Sequence, residues 1–189
     1  MYLYRYITSR TPKLLLIVSL FLFAHTEILS AQDTCVVIDL EPFSGGKGDT
    51  VCVKVRVSNF KNIVSMQFPI NYNPNFVKPI FARNFYNQAN FGFDASNVQI
   101  NKTTSDVRVV WNDVNIAGVT IPDTVIFELC FVLIGSPGSC SSIYFSDNPI
   151  GTEIIDVDDK TVCVNDANPN DQICIELPSH LCVISTACG

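Results

Sequence analysis

The chain has 189 residues, a formal net charge of −6, eight cysteines, ten prolines and 48% hydrophobic residues. Charged residues make up only 16%, and with so much apolar content beside them disorder throughout is excluded. The acidic balance excludes a nucleic-acid groove or an anionic-membrane binder, since both need clustered Lys and Arg.

The first predicted element is an address. Arg5, Arg10 and Lys13 precede an apolar run from Leu14 to Ala24, and Ser30-Ala31 follows as a small-residue cleavage site. That is the pattern of a secretory signal over residues 1–31. The run is too short for the ~20 apolar residues of a bilayer-spanning helix, so no membrane insertion of the mature chain is expected. The mature protein is placed outside the cell or at its surface. All eight cysteines lie beyond Ala31, and an even count behind a signal reads as disulfides rather than free thiols. Zinc is the competing reading, but no CxxC pair occurs.

Residues 32–178 read as one domain built of strands. Beyond the signal there are twenty Val and sixteen Ile against five Leu and six Ala. β-branched side chains lose χ1 freedom in helices and suit a pleated surface. Strands are expected over Cys35–Leu40, Val51–Ser58, Val64–Tyr72, Phe76–Ala82, Val98–Thr103, Val107–Asn112, Val125–Ile134, Ser141–Phe145 and Ile173–Leu177. The clearest of them alternate: Val51, Val53, Val55 and Val57 on one strand, and Phe127, Leu129, Phe131 and Leu133 on another. Pro69 has no amide hydrogen, so its strand is expected at an edge or locally irregular. Gly45 to Asp49, Asn59 to Asn62, Asn73 to Asn75 and Ser136 to Gly138 read as turns. Nine short strands with tight turns predict an all-β antiparallel sandwich of two sheets. Residues 179–189 read as a tail, a linker or the start of a further module.

The motifs, taken in order, resemble a cohesin-type domain. They are Gly48-Asp49-Thr50-Val51, Val57-Ser58-Asn59, Met66-Gln67-Phe68, Asn71-Tyr72-Asn73-Pro74, Val109 to Asp113, Gly118 to Ile121, Val125-Ile126-Phe127 and Ser142 to Phe145. The resemblance covers about residues 35–177. It implies a nine-stranded sandwich of jelly-roll topology and a non-catalytic binding or adhesion module. Its partner would be an extracellular protein, dockerin-like or other, within a polysaccharide-degrading or surface assembly. The resemblance also places partner contacts at Ser65, Gln67 and Asn71. Dockerin-binding members carry Asn and Asp where Ser65 and Gln67 stand. Ser65 has one short hydroxyl and Gln67 no charge, which moves the likeness toward cohesin-like modules of large adhesive proteins. Cys52 and Cys130 fall on the outer faces of their strands, and in the implied topology those strands are antiparallel neighbours. A Cys52–Cys130 disulfide is therefore expected. Cys35, Cys140, Cys163 and Cys174 are left to pair among themselves, and Cys182 locally with Cys188.

Other candidates each carry two readings. Phe85, Tyr86, Phe91 and Phe93, set among asparagines, suit either a sugar-stacking platform for direct polysaccharide binding or a plug for one end of the sandwich. Trp111 is in phase with Val107 and Val109, which reads as core, against the other reading of a surface sugar platform. Asp166, Asn168, Asn170 and Asp171 offer oxygen ligands for calcium, against the plainer reading of a solvated acidic loop. The sixth position from Asp166 is Asp171 rather than Gly, so it is not an EF-hand. No cofactor is otherwise expected. A Ser–His–Asp arrangement would have to use His180, in a tail with no elbow to hold it, and nothing singles out two paired carboxylates. An enzyme is not expected.

Overall fold

A computed structural model describes residues 35–41, 43–88, 90–167, 169 and 171–178. The expected signal over residues 1–31, the expected tail with His180, Cys182 and Cys188, and the calcium candidates Asn168 and Asn170 lie outside the described residues.

Among the described residues there are twelve strands and one short 3₁₀ turn, at Ala95–Asn97. They are β1 (Val36–Leu40), β2 (Phe43–Gly46), β3 (Thr50–Ser58), β4 (Ile63–Tyr72), β5 (Val77–Arg83), β6 (Val98–Asn101), β7 (Asp106–Asn112), β8 (Thr124–Leu133), β9 (Cys140–Phe145), β10 (Glu153–Asp156), β11 (Val164–Asp166) and β12 (Gln172–Glu176). One sheet has the order β11-β1-β3-β8-β5. The other runs β2-β12-β9-β4-β7-β6, with β10 also paired to β4. The architecture is the expected all-β sandwich.

Period two explains the layering. Val51, Val53, Val55 and Val57 of β3 and Phe127, Leu129, Phe131 and Leu133 of β8 are buried. Across from them lie Met66, Phe68 and Ile70 of β4 with Val107, Val109 and Trp111 of β7. On the outer side of the first sheet Cys52 stands opposite Cys130 in the β3–β8 register, and the two are bridged with Cα atoms 4.0 Å apart. Cys35 is bridged to Cys163 and Cys140 to Cys174.

Two expectations need correction. The strand count rises from nine to twelve, because β2, β10 and β11 come from segments read as a turn and acidic loops. All three are only three or four residues long and exist by pairing to other strands: β2 with β12 and β11 with β1, both in parallel, and β10 with β4. The second concerns Pro69, expected at an edge or locally irregular: the edge is corrected and the local irregularity is what forms. Its strand is not an edge, since β4 is flanked by β7 on one side and by β9 and β10 on the other. The Asp113 N–H donates to the Val64 carbonyl, so even-numbered residues of β4 bond toward β7 and odd-numbered ones away from it. On that far side β10 stops at Gln67 and β9 begins at Ile70. Pro69 falls in the gap, where a missing amide hydrogen costs no ladder bond.

Candidate binding face

Met66, Phe68, Ile70 and Tyr72 of β4 fill the core, so Ser65, Gln67, Pro69 and Asn71, which alternate with them, face the other side of the second sheet, Pro69 itself being buried. Register then builds rows across that face. Ile155, Ser65 and Asn112 make one row, and Glu153, Gln67 and Val110 the next. Pro69, Arg108 and Gln99 make a third, and Tyr144, Asn71, Asp106 and Asn101 a fourth. The expected contacts Ser65, Gln67 and Asn71 therefore lie together on one strand, two residues apart or four, facing the same way.

Two apolar groups are exposed among these amides: Val110 at 44% and Tyr144 at 43%. The cation of the face, Arg108, donates through Nε to Oδ2 of the fully buried Asp106 at 2.8 Å, and Thr104 also donates to that carboxylate. Buried pairing fixes the guanidinium in one place on the sheet. Arg108, Val110 and Tyr144 were missed as candidates. For Arg108 and Val110 the signal was available, because residues alternating with Val107, Val109 and Trp111 must face outward, and for Tyr144 it lay in its alternation with the buried Ile143.

One edge of the face is a wall made by residues 146–152. Asn71 Nδ2 donates to Ser146 Oγ at 2.7 Å, and Gln67 Nε2 donates to the Gly151 carbonyl at 3.2 Å. Ser146 Oγ also donates to the Asn148 carbonyl and accepts from the Asn148 N–H. Asp147 Oδ1 accepts from the Thr152 N–H at 2.9 Å. Two of the three expected contact residues thus hold this wall in position.

The aromatic stretch lies at one end of the sandwich. Phe91 and Phe93 are 2% and 4% exposed and stack with ring centroids 5.3 Å apart. Phe91 also meets Trp111 and Phe60, while Phe93 and Phe85 meet Phe127. Trp111 Nε1 donates to the Phe91 carbonyl at 2.6 Å, so the buried indole is satisfied. Phe85 and Tyr86 are half-buried against the same core. The ring faces of Phe91 and Phe93 are covered by protein, which leaves them none for a sugar.

The acidic candidates are divided. Asp166 ends β11 and Asp171 precedes β12, so the pair brackets the crossing between the sheets. Asp171 is 4% exposed. Burial, reinforced by the like charges of Asp39 and Asp166, pushes its carboxyl up to about 6, although the Leu40 N–H donates to it. Asp39 Oδ1 and Asp171 Oδ2 are buried without a hydrogen-bond partner. Among the described residues no group of three or more acidic, His or Cys side chains is arranged to hold a metal ion. Asp113 has a structural task instead: its carboxylate accepts from the N–H groups of Asn115, Ala117 and Gly118, and these bonds, led by Asn115, hold it below the usual carboxylate range.

Comparison with known proteins agrees with this architecture. The cohesin-domain profile matches residues 36–165. A cohesin from scaffoldin B of Acetivibrio cellulolyticus, solved with a mutant Cel5 dockerin, superposes with a TM-score of 0.61 at 19% identity, covering 76% of this chain and 100% of that one. A non-cellulosomal cohesin from the archaeon Archaeoglobus fulgidus gives 0.60 at 19% identity, covering 79% and 97%. The cohesin CaCohA2 from Clostridium acetobutylicum gives 0.60 at 18%, covering 76% and 92%. No curated protein matches the chain. With its profile match spanning more than half of the sequence and its strands in the same sandwich, the chain belongs to the cohesin-domain family.

Proposed function

We propose that the protein is a secreted, non-catalytic binding module that holds an extracellular protein partner on the outer face of the β9-β4-β7-β6 sheet. The observation that carries this reading is the clustering of Ser65, Gln67 and Asn71 with Arg108, Val110 and Tyr144 on one continuous face. An exposed aromatic and an exposed aliphatic side chain among fixed hydrogen-bonding groups is the composition of a protein-recognition surface. Several structural relatives were solved bound to dockerins, among them the scaffoldin B cohesin, which supports a protein partner of dockerin-like or other kind. Secretion to the medium or cell surface fits the three disulfides, which persist in oxidising compartments. No helix among the described residues is long and apolar enough to cross a membrane. Direct polysaccharide binding is the weaker reading, because the Phe91 and Phe93 rings are buried.

The test is a pull-down from the secreted proteins of the source cells. Wild-type protein should retain a saturable partner that the combined Ser65→Ala, Gln67→Ala, Tyr144→Ala variant loses while its thermal melt is unchanged. Equal retention by the variant removes this face from the function. A glycan array run alongside should stay blank, and a signal abolished by Phe85→Ala with Tyr86→Ala would favour polysaccharide.

A further inference from the structure

Alternation along β7 sends Val107, Val109 and Trp111 into the core and Asp106, Arg108 and Val110 the other way. Asp106 is nonetheless fully buried, while the Arg108 side chain that pairs with it stays 26% exposed. A buried carboxylate needs partners, and Thr104 and Arg108 both donate to this one. The Arg108 bond is made through Nε at 2.8 Å. A guanidinium carries five N–H donors in a rigid plane, so one carboxylate accepting at Nε does not saturate it.

Register sets what surrounds this cation. Pro69 of β4 and Gln99 of β6 stand directly across from Arg108. Val110 is the next outward residue of β7, and Tyr144 stands across from Asn71, the next outward residue of β4. In the four rows of the face the other charged residues are Asp106, already paired, and Glu153, two strands away on β10. Resting on the protein-partner reading above, we propose that Arg108 anchors a carboxylate of the partner, an Asp or Glu side chain flanked by apolar residues that cover Val110 and Tyr144. A partner lying on the face strips the guanidinium of its remaining water, and its free N–H groups must then be met. A main-chain carbonyl presents one oxygen, whereas a carboxylate presents two at matched spacing and adds charge. Arg108 is also already held by Asp106, so little further side-chain freedom is lost when it is engaged. Arg and Tyr are residue types that dominate binding energy at protein interfaces, and here they stand among neutral amides. An acidic polysaccharide also offers carboxylates, but the exposed Val110 favours a chain with aliphatic side chains.

A random 12-residue peptide library displayed on phage, selected on the disulfide-bonded protein, tests this without the partner. The selected peptides should share an Asp or Glu flanked by apolar residues. As synthetic peptides they should lose at least about tenfold in affinity when that acid becomes Asn or Gln, the scale of one hydrogen bond to a charged group. Arg108→Gln should cost as much. Because that variant leaves the Asp106 carboxylate buried and unpaired, Asp106→Asn with Arg108→Gln, which removes both charges together, is measured beside it. Binding should also weaken severalfold as salt rises from ~50 to ~500 mM. No enrichment, a consensus without an acid, or affinity unchanged in the double variant would overturn the proposal. So would binding of polygalacturonate that the double variant abolishes, which would give the site to a polysaccharide. Peptides lost by the Arg108 variants but kept by the Ser65→Ala, Gln67→Ala, Tyr144→Ala protein would uphold the carboxylate contact and remove the wider face. A secreted partner kept by the Asp106→Asn, Arg108→Gln protein but lost by that triple variant would strike Arg108 and leave the face standing.

Discussion

The aromatic end and the acidic edge of this sandwich are held together by different means. At the aromatic end, Phe60, Phe91, Phe93, Trp111 and Phe127 close on one another, and the one polar atom buried among them, Trp111 Nε1, has its acceptor. At the acidic edge, burial and the like charges of Asp39 and Asp166 disfavour the ionised Asp171, and two carboxylate oxygens, Asp39 Oδ1 and Asp171 Oδ2, lack hydrogen-bond partners. Covalent bonds stand there instead: Cys35–Cys163 joins the chain before β1 to the chain before β11, and Cys140–Cys174 joins β9 to β12. The first end gains free energy from being shut. The second is shut at a cost, since burial works against the charge of Asp171 there.

The largest effect is expected where packing alone does the holding. Phe91→Ala removes a buried ring that touches Phe60, Phe93 and Trp111 and leaves the Trp111 N–H acceptor on a loosened backbone. Denaturant unfolding should show a loss of about 3–5 kcal/mol. A loss below 1 kcal/mol would mean that this end is not a closed plug. Next comes the staple of the acidic edge. Cys35→Ala with Cys163→Ala opens a sequence separation of 128 residues and should lower stability by roughly 2–4 kcal/mol. Hydrogen exchange should rise first in β11, whose one strand partner among the described residues is β1, while the amides around Phe91 stay protected.

Asp171 separates the two ends by pH. Its folded carboxyl is raised from the usual value to about 6, so the native state binds the proton more tightly than the unfolded chain does. Its contribution is most favourable below pH 4 and is lost as pH rises through 6. Asp171→Asn keeps an oxygen for the Leu40 N–H and removes the charge. The variant should melt a few degrees above wild type at pH 7, with the difference shrinking toward pH 4. A constant difference across that range would show that desolvation and like charge at this edge are not what raises the group.

Sequence made the two sheets legible wherever one face of a strand is buried. In β3, β4, β7 and β8 the apolar residues recur every second position, so inward and outward residues, Ser65, Gln67 and Asn71 included, could be told apart before any coordinates. The Cys52–Cys130 bridge followed from phase together with the family's strand order, and the two cysteines do meet in register. β2, β10 and β11 were not legible. Gly45-Gly46 carries turn chemistry, and the segments around Asp156 and Asp166 are too short and too acidic to show a period. They become strands only because an existing strand offers an open edge, which is tertiary information. The wall at residues 146–152 escaped for the same reason: its position depends on Asn71 and Gln67, about eighty residues away in the chain.

That dependence gives the smallest and most specific effect. Ser146 Oγ accepts from Asn71 Nδ2 at 2.7 Å and from the Asn148 N–H at 3.2 Å, and donates to the Asn148 carbonyl at 2.9 Å. One hydroxyl thus ties the outer face of β4 to the wall and the wall to itself. Ser146→Ala breaks all three bonds, but the site is partly open to water, which can take over the freed groups. The net loss of stability should be about 1 kcal/mol, within the usual range for an intramolecular hydrogen bond. Hydrogen exchange should respond more sharply than the melt, with amides from Asn148 to Thr152 opening faster and those of β4 unchanged. If the wall stays as protected as in wild type, it is held by its own turns rather than by Asn71.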